Sequence, residues 1–289
     1  MWAMTKRNLQ LYFSNKASVF FSLLGALIAF ILYVIFLQKN MQDSFAGTPN
    51  LEELLDNWVL GGTLAVTSMT TTWTGISRLV QDKVSHKLED FLLTDISQLK
   101  LYLGYLISSS LIGFIMQLVM LAIMKLYFYW QDGISFGFEH LPQMLLIMLL
   151  SSIMGAGFAL LVLQFVKTLT TDEALSTIVG TVSGFLVGVY MPIGALPDFA
   201  QKVVKLTPAA YVSAAYRQLL IAKDAVNADA KEFLGIGLKL KNLTTLNQEM
   251  LLVSLVICGI IVLLALSLYL ERFSLTKNKQ EELKGALPV

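Results

Sequence analysis

The sequence predicts an all-α membrane protein whose single domain, residues 1–289, crosses the membrane six times. Hydrophobic residues make up 56% of the chain and charged residues 14%, against about 25% charged in soluble proteins. All 21 basic and 20 acidic residues lie outside six apolar stretches, each long enough to cross a bilayer as a helix. The predicted spans are residues 17–37, 58–77, 101–124, 141–166, 174–196 and 250–270.

The basic residues predict that both termini lie in the cytoplasm. Short cytoplasmic segments carry an excess of Lys and Arg, and most of these residues lie in the N-terminal segment, the loops after spans two and four, and the tail. The first outer loop has only Lys39, and residues 131–140 have none. We expect a multi-pass protein of the cell membrane, in particular of a bacterial plasma membrane.

The sequence contains no motif for binding a nucleotide or a metal. The phosphate-binding string G-x-x-x-x-G-K-[ST] is absent, and neither His86 nor His140 has a second ligand at metal spacing. A net charge of +1 without a basic cluster gives no reason to expect nucleic acid. The spans also lack the ionisable side chains that proton-driven carriers need. We expect no cofactor and no enzymatic activity in this chain.

Residues 81–97 predict an amphipathic helix across the cytoplasmic ends of the spans. Its apolar residues fall on one helical face. They are Val84, Leu88, Phe91, Leu92 and Ile96. Such a helix either caps the bundle or docks onto a partner, and the periodicity favours neither.

The N-terminal segment, residues 6–19, predicts a second interfacial helix. Lys6 and Arg7 precede Leu9, Tyr12 and Phe13, a pattern typical of helices that place an aromatic face in the lipid interface. We expect this helix to anchor the N-terminus at the inner surface.

Span five carries Gly180, Gly184 and Gly188 at four-residue steps. Small residues at this spacing form a ridge that another helix can approach closely, and close packing drives helix association in lipid. The spacing predicts a helix contact either within the chain or between two copies, and we favour a homodimer.

Prolines predict a broken outer hairpin between spans five and six. Pro192 and Pro197 end span five, because proline interrupts a helix. Pro208 then opens a stretch too short to span, with Arg217 embedded in it. We expect a re-entrant hairpin in the outer leaflet, with a surface loop as the alternative.

Span two is rich in hydroxyl groups, and four of its threonines are candidates for lining a polar pathway. These are Thr67, Thr70, Thr71 and Thr74. A threonine in a helix can also bond the carbonyl four residues back. Self-bonded packing is therefore the stronger interpretation.

This order of parts resembles the type-2 ABC exporter permeases, the ABC-2 type, over nearly the whole chain. Leu88-Glu89 with residues 91–94 is similar to the coupling segment L-E-x-L-L-x-T-P of that family, and Pro192 with Pro197 to its P-x-x-x-L-P turn. Pro208 with Tyr211 is similar to its N-P-x-x-Y motif, and residues 216–220 to its A-x-R-x-L-L end. The chain departs from the pattern at three positions, where the family usually has glycine, proline and lysine. These are His86, Asp95 and Tyr105.

The resemblance implies the permease subunit of an exporter powered by a separate ABC ATPase, which binds ATP and Mg²⁺. Two permease copies would pair with two ATPase copies. Val84, Leu88, Phe91 and Leu92 would then anchor in an ATPase cleft, and Glu89 would orient the contact through a basic residue.

The uncharged spans suit a hydrophobic or amphipathic cargo, such as a drug, an antimicrobial peptide or a lipid. Two alternatives stay open: a carrier driven by an ion gradient, and a noncatalytic scaffold or sensor subunit.

Overall fold

The computed structural model describes residues 1–94, 96–133, 140–222, 225–239 and 242–285, and all regular structure in these ranges is helical except one isolated bridge between Lys239 and Leu243. The α-helices, numbered α1 to α12 in chain order, are Trp2–Ser14, Lys16–Leu32, Gln38–Ser44, Leu51–Val84, Lys87–Leu92, Gln98–Asp132, Leu141–Leu163, Leu169–Leu186, Asp198–Leu206, Pro208–Leu220, Ala228–Leu234 and Leu246–Gly285. A π-helical turn, Tyr33–Leu37, joins α2 to α3.

Four helical segments of the described chain are long and apolar enough to cross a membrane. They are Lys16–Ser44, Gln98–Gln131, Leu141–Leu163 and Leu246–Ser267, and they contain most of predicted spans one, three, four and six. This supports a multi-pass membrane protein. Predicted span two lies in α4, and the first part of predicted span five lies in α8. Both helices are less apolar, because α4 is rich in Ser and Thr and α8 carries Asp172 and Glu173 near its start.

Helix α4 is the central helix of the bundle. Its 34 residues extend about 51 Å at the usual helical rise. It packs against α2, α6, α7, α8 and α10, and its residues 58–68 are all buried. Its Leu51 end, which meets α10, is called the hairpin end below, and its Val84 end, next to α5, is called the α5 end.

The boundaries predicted for span five, 174–196, are wrong at the C-terminal side. Helix α8 ends at Leu186, and Gly188 follows with a φ of +65°, a left-handed conformation that glycine adopts freely. The N–H of Val189 donates to the carbonyl of Gly184 at 3.0 Å and closes the helix end. Pro192 then precedes a short 3₁₀ turn, Ile193–Ala195, so the chain cannot resume the helix.

The broken hairpin is held to the bundle by Arg217, a side chain with no exposed surface. Its guanidinium donates to the carbonyls of Trp58 at 3.2 Å, Leu234 at 3.1 Å and Gly188 at 3.0 Å. It also stacks over the Trp58 ring, 4.6 Å from the ring centre. One side chain thus joins α10 to α4, to the end of α11 and to the turn that follows α8.

The neighbouring residue, Tyr216, ties the hairpin to two further helices. Its hydroxyl donates to Gln117 Oε1 of α6 at 2.7 Å. The Gln117 amide nitrogen in turn donates to Ser152 Oγ of α7 at 2.8 Å. These polar groups are all buried, and in a lipid environment such groups must find their partners inside the protein.

Replacing Arg217 by methionine should destabilise the protein by about 3 kcal/mol, because the guanidinium's hydrogen bonds to three backbone carbonyls of the hairpin end are lost. Thermal unfolding of the purified protein, followed by tryptophan fluorescence, measures the loss. Lys202→Met is the control, since it removes an exposed cation of the same hairpin. Equal melting temperatures for the two variants would show that Arg217 does not hold the hairpin.

Candidate functional site

The predicted amphipathic helix over residues 81–97 is not one helix. Helix α4 continues to Val84, a turn follows at residues 85–86, and α5 covers only Lys87–Leu92. His86 has a φ of +58°, the left-handed region that glycine adopts without steric cost. The glycine usual in the similar permeases would suit this turn. Asp95 lies outside the described residues.

The residues predicted to anchor α5 in a partner differ in how far their side chains are exposed. Leu88 and Phe91 are half-buried and pack against the core of this chain. Val84 and Leu92 are exposed, and Leu93 is 87% exposed. The more exposed apolar surface of this segment is therefore formed by Val84, Leu92 and Leu93, whereas Leu88 and Phe91 pack against the bundle and leave only part of their side chains open to a partner. That Val84, Leu88, Phe91 and Leu92 anchor in an ATPase stays a prediction.

The acidic side chain of Glu89, predicted to orient the contact with an ATPase, lies on the surface of α5. Its carboxylate is exposed and lies 3.2 Å from Nδ1 of His86. A contact between two such exposed groups contributes little to stability. Glu89 can therefore bind a basic group of another molecule at little cost.

A buried carboxylate, Asp82, joins four elements at the α5 end. Arg7 of α1 donates to both of its oxygens, at 2.7 and 2.9 Å. The hydroxyl of Tyr105 on α6 donates to it at 2.6 Å, and Arg78 Nη2 of α4 lies 3.3 Å away. The Arg7 guanidinium also lies over the Phe91 ring of α5, 5.1 Å from its centre. Asp82, Arg7 and Tyr105 with Phe91 are called the Asp82 junction.

Opposing effects set the charge state of the junction. Burial alone raises the pKa of Asp82, but the hydrogen bonds from Arg7 and Tyr105 and the charges of Arg7 and Arg78 together lower it below its usual value. The hydrogen bond to Asp82 raises the pKa of Arg7. The two-point contact between Arg7 and Asp82 is the strong kind of charge-assisted hydrogen bond.

Two more contacts fasten the same end of α4 to the remaining helices. The Lys83 ammonium donates to the carbonyls of Leu163 at 3.2 Å and Gln164 at 2.5 Å, at the end of α7. The Ser77 hydroxyl donates to Asp172 of α8 at 2.9 Å. Together with the Asp82 junction, these contacts connect α4 to α1, α5, α6, α7 and α8 within its last two turns.

The Asp82 junction was not identified from the sequence. From the sequence, Arg7 belongs to the predicted interfacial helix of residues 6–19, Tyr105 is a departure from the family pattern, and Asp82 has no predicted role. The spacing of Arg78 and Asp82, one helical turn apart on a helix that was expected to end at residue 77, was the available signal.

The glycine ridge is not reproduced as predicted. Gly188 lies beyond the end of α8, so it is not on the same helical face as Gly180 and Gly184. A side chain at Gly184 would meet the ring of Tyr190, a residue of the same chain, whereas nothing lies within 4 Å of a side chain placed at Gly180. Gly184 therefore accommodates the turn after α8, and only Gly180 keeps an open surface.

The candidate pathway threonines satisfy their own hydroxyl groups. Thr67 and Thr71 have no exposed surface and donate to the carbonyls of Thr63 and Thr67, at 2.8 and 2.6 Å. Thr70 and Thr74 bond the carbonyls four residues back in the same way. These bonds agree with self-bonded packing, the interpretation that the sequence favours, and α4 is enclosed by its neighbours in this chain. A role of the four threonines in a pathway stays a prediction.

The fold and this site define a multi-pass helical membrane protein with a short amphipathic helix set against the ends of its transmembrane bundle. The family model of the ABC-2 family transporter proteins matches residues 48–270. The chain belongs to this family, which confirms the resemblance found in its motifs. No curated protein and no solved structure matches the chain significantly.

The lowered pKa of Asp82 predicts a stability effect with a defined pH range. A carboxylate with a lower pKa in the folded state stabilises the fold fully above its unfolded pKa of about 4 and loses this contribution as the pH falls through the folded value. We expect Asp82→Asn to cost about 2 kcal/mol at pH 7, and the difference from wild type to shrink below about pH 4.

Melting temperatures of both proteins in lipid nanodiscs between pH 3 and pH 8 test this. Asp90→Asn is the matched control, since Asp90 is an exposed acid of α5. A difference between Asp82→Asn and wild type that stays constant over the whole range would contradict the assigned charge state.

Proposed function

We propose that this chain is the transmembrane permease subunit of an ABC exporter and that α5 is the coupling helix for a separate ABC ATPase. The match to the ABC-2 family carries this proposal. It is supported by α5, which presents exposed apolar and acidic side chains to a partner while Phe91 contacts Arg7 of the Asp82 junction. A push on α5 would therefore reach α1, α4 and α6 together.

In this proposal the α5 end faces the cytoplasm of a bacterial cell, six spans cross the plasma membrane, and both termini are cytoplasmic. The excess of basic residues in short segments at this end supports that orientation. The energy comes from ATP with Mg²⁺ bound to the partner, so the permease itself has no cofactor and catalyses no hydrolysis. α8 serves as span five, and the outer hairpin follows it.

The proposed cargo is hydrophobic or amphipathic, such as a drug, an antimicrobial peptide or a lipid. The buried polar groups of the spans support this. The threonine hydroxyls of α4 and the side chains of Gln117, Ser152 and Tyr216 have hydrogen-bond partners within the protein. An ion pathway would need polar groups free to replace water around the ion.

The proposed assembly contains two permease copies and two ATPase copies. The outer face of α8 supports the contact between permeases, since Ile178, Val182 and Phe185 are exposed and Gly180 leaves room for close approach. The permeases would form a homodimer through this face.

Leu93→Asp should abolish association with the ATPase while leaving membrane insertion intact, because the charge would be buried unpaired in an apolar contact. Copurification from native membranes with a tagged permease measures this. Leu99→Asp, which places the same charge on an exposed leucine of α6, is the control and should retain the partner. Undiminished recovery of ATPase with Leu93→Asp would remove α5 as the docking site.

Transport assays with the purified permease in vesicles distinguish the exporter from the ion-driven carrier and from the scaffold or sensor subunit. An exporter subunit accumulates cargo in vesicles only with the ATPase and ATP, whereas an ion-driven carrier accumulates it with a proton or sodium gradient alone. A scaffold or sensor subunit moves cargo under neither condition.

A further inference from the structure

A cavity of about 680 Å³ lies at the hairpin end, opposite α5. Its wall is formed by the turn before α4, the first two turns of α4, the start of α7, the end of α10 and Leu246 at the start of α12. A second cavity of about 380 Å³ adjoins it along Gln218, Ile221, Ala222 and Leu246. Spaces of this size with mixed lining are typical of sites for small molecules.

The polar lining of the larger cavity favours ligands that donate hydrogen bonds. Four carboxamides line it: Asn50, Asn57, Gln143 and Gln218. The nitrogens of Asn57 and Gln218 already donate to the carbonyls of Leu220 at 3.2 Å and Thr244 at 3.1 Å. These two side chains therefore offer a ligand chiefly their acceptor oxygens.

A carboxylate is part of the cavity lining. It belongs to Glu53, an exposed residue in the first turn of α4. An ammonium ligand would donate to Glu53 and to the amide oxygens of the lining.

Apart from His140, the remaining lining is apolar and includes Leu54, Leu219 and Ile221. We propose that this cavity binds the protonated amine of an amphipathic molecule, with the amine at Glu53 and the apolar part against these side chains. The proposal rests on the proposed function for its biological meaning, since in an exporter of the stated orientation the cavity is a cargo site on the outer side.

Binding of dansylcadaverine, a fluorescent primary amine with an apolar aromatic group, tests the proposal. The full-length chain in phosphatidylcholine nanodiscs is titrated and the dansyl emission recorded. We expect Glu53→Gln to weaken binding about tenfold, which corresponds to one charge-assisted hydrogen bond. Glu52→Gln is the matched control, because Glu52 is an exposed acid in the same helical turn but is not part of the cavity lining.

Two further measurements keep the test decisive. Ala222→Trp fills the space that Ala222 lines and should abolish binding without changing any charge. N-acetyl dansylcadaverine, the neutral probe of the same shape, should bind wild type about tenfold more weakly than the amine. Wild-type affinity in both Glu53→Gln and Ala222→Trp, or equal affinity for the two probes, would overturn the proposal.

This titration needs no ATPase and no ATP. A permease that binds the amine but never copurifies with an ATPase would retain the cavity site and lose the exporter function. A permease that copurifies with an ATPase but does not bind the amine would retain the exporter function and lose the cavity site.

Discussion

Polar groups on a helix within a bilayer must be satisfied inside the protein, and α4 is the helix on which this constraint acts most strongly. Along its length, threonine hydroxyls bond its own carbonyls. At its ends the partners come from other elements: Arg217 reaches the Trp58 carbonyl at one end, and Arg7 binds Asp82 at the other. The other helices are arranged around these contacts.

This arrangement makes α4 a continuous connection between the two ends of the molecule. It is one uninterrupted helix of 34 residues, and its neighbours enclose it on several sides. Packed helices with polar contacts at both ends are among the elements that carry coupling through a protein. In the proposed exporter, a displacement of α5 would therefore move Trp58 and the hairpin, about 40 Å away along the helix.

The elements that the sequence predicted correctly are those determined by residues close together in the chain. Charge-free stretches of sufficient length located the spans that α2, α6, α7 and α12 occupy, and Pro192, Pro197 and Pro208 marked the broken hairpin. The resemblance in the motifs identified the family correctly. These features depend on the solvent that surrounds a segment or on the backbone of one residue, and both are encoded within a few positions.

The features that the sequence did not predict depend on contacts between distant segments. Arg7 and Asp82 are separated by 75 positions, and no periodicity along one helix reveals such a pair. The break at His86 is not visible in the sequence, because the apolar pattern of residues 81–97 continues across it although His86, a non-glycine residue, has a left-handed backbone conformation. The glycines of span five were counted by spacing, and spacing cannot show that the helix ends at Leu186 before the third one.

The two proposed sites lie at opposite ends of the same helix, and this has a thermodynamic consequence. A ligand in the outer cavity would contact the first turns of α4 and the end of α10, which Arg217 joins. An ATPase on α5 would act on the last turns of α4 through the Asp82 junction. If docking of the ATPase changes the tilt of α4, it changes the affinity of the cavity, and by linkage the ligand changes the affinity of the ATPase by the same factor. A change in the affinity for the ATPase on cargo binding would then follow from a shared helix, without any contact between the two sites.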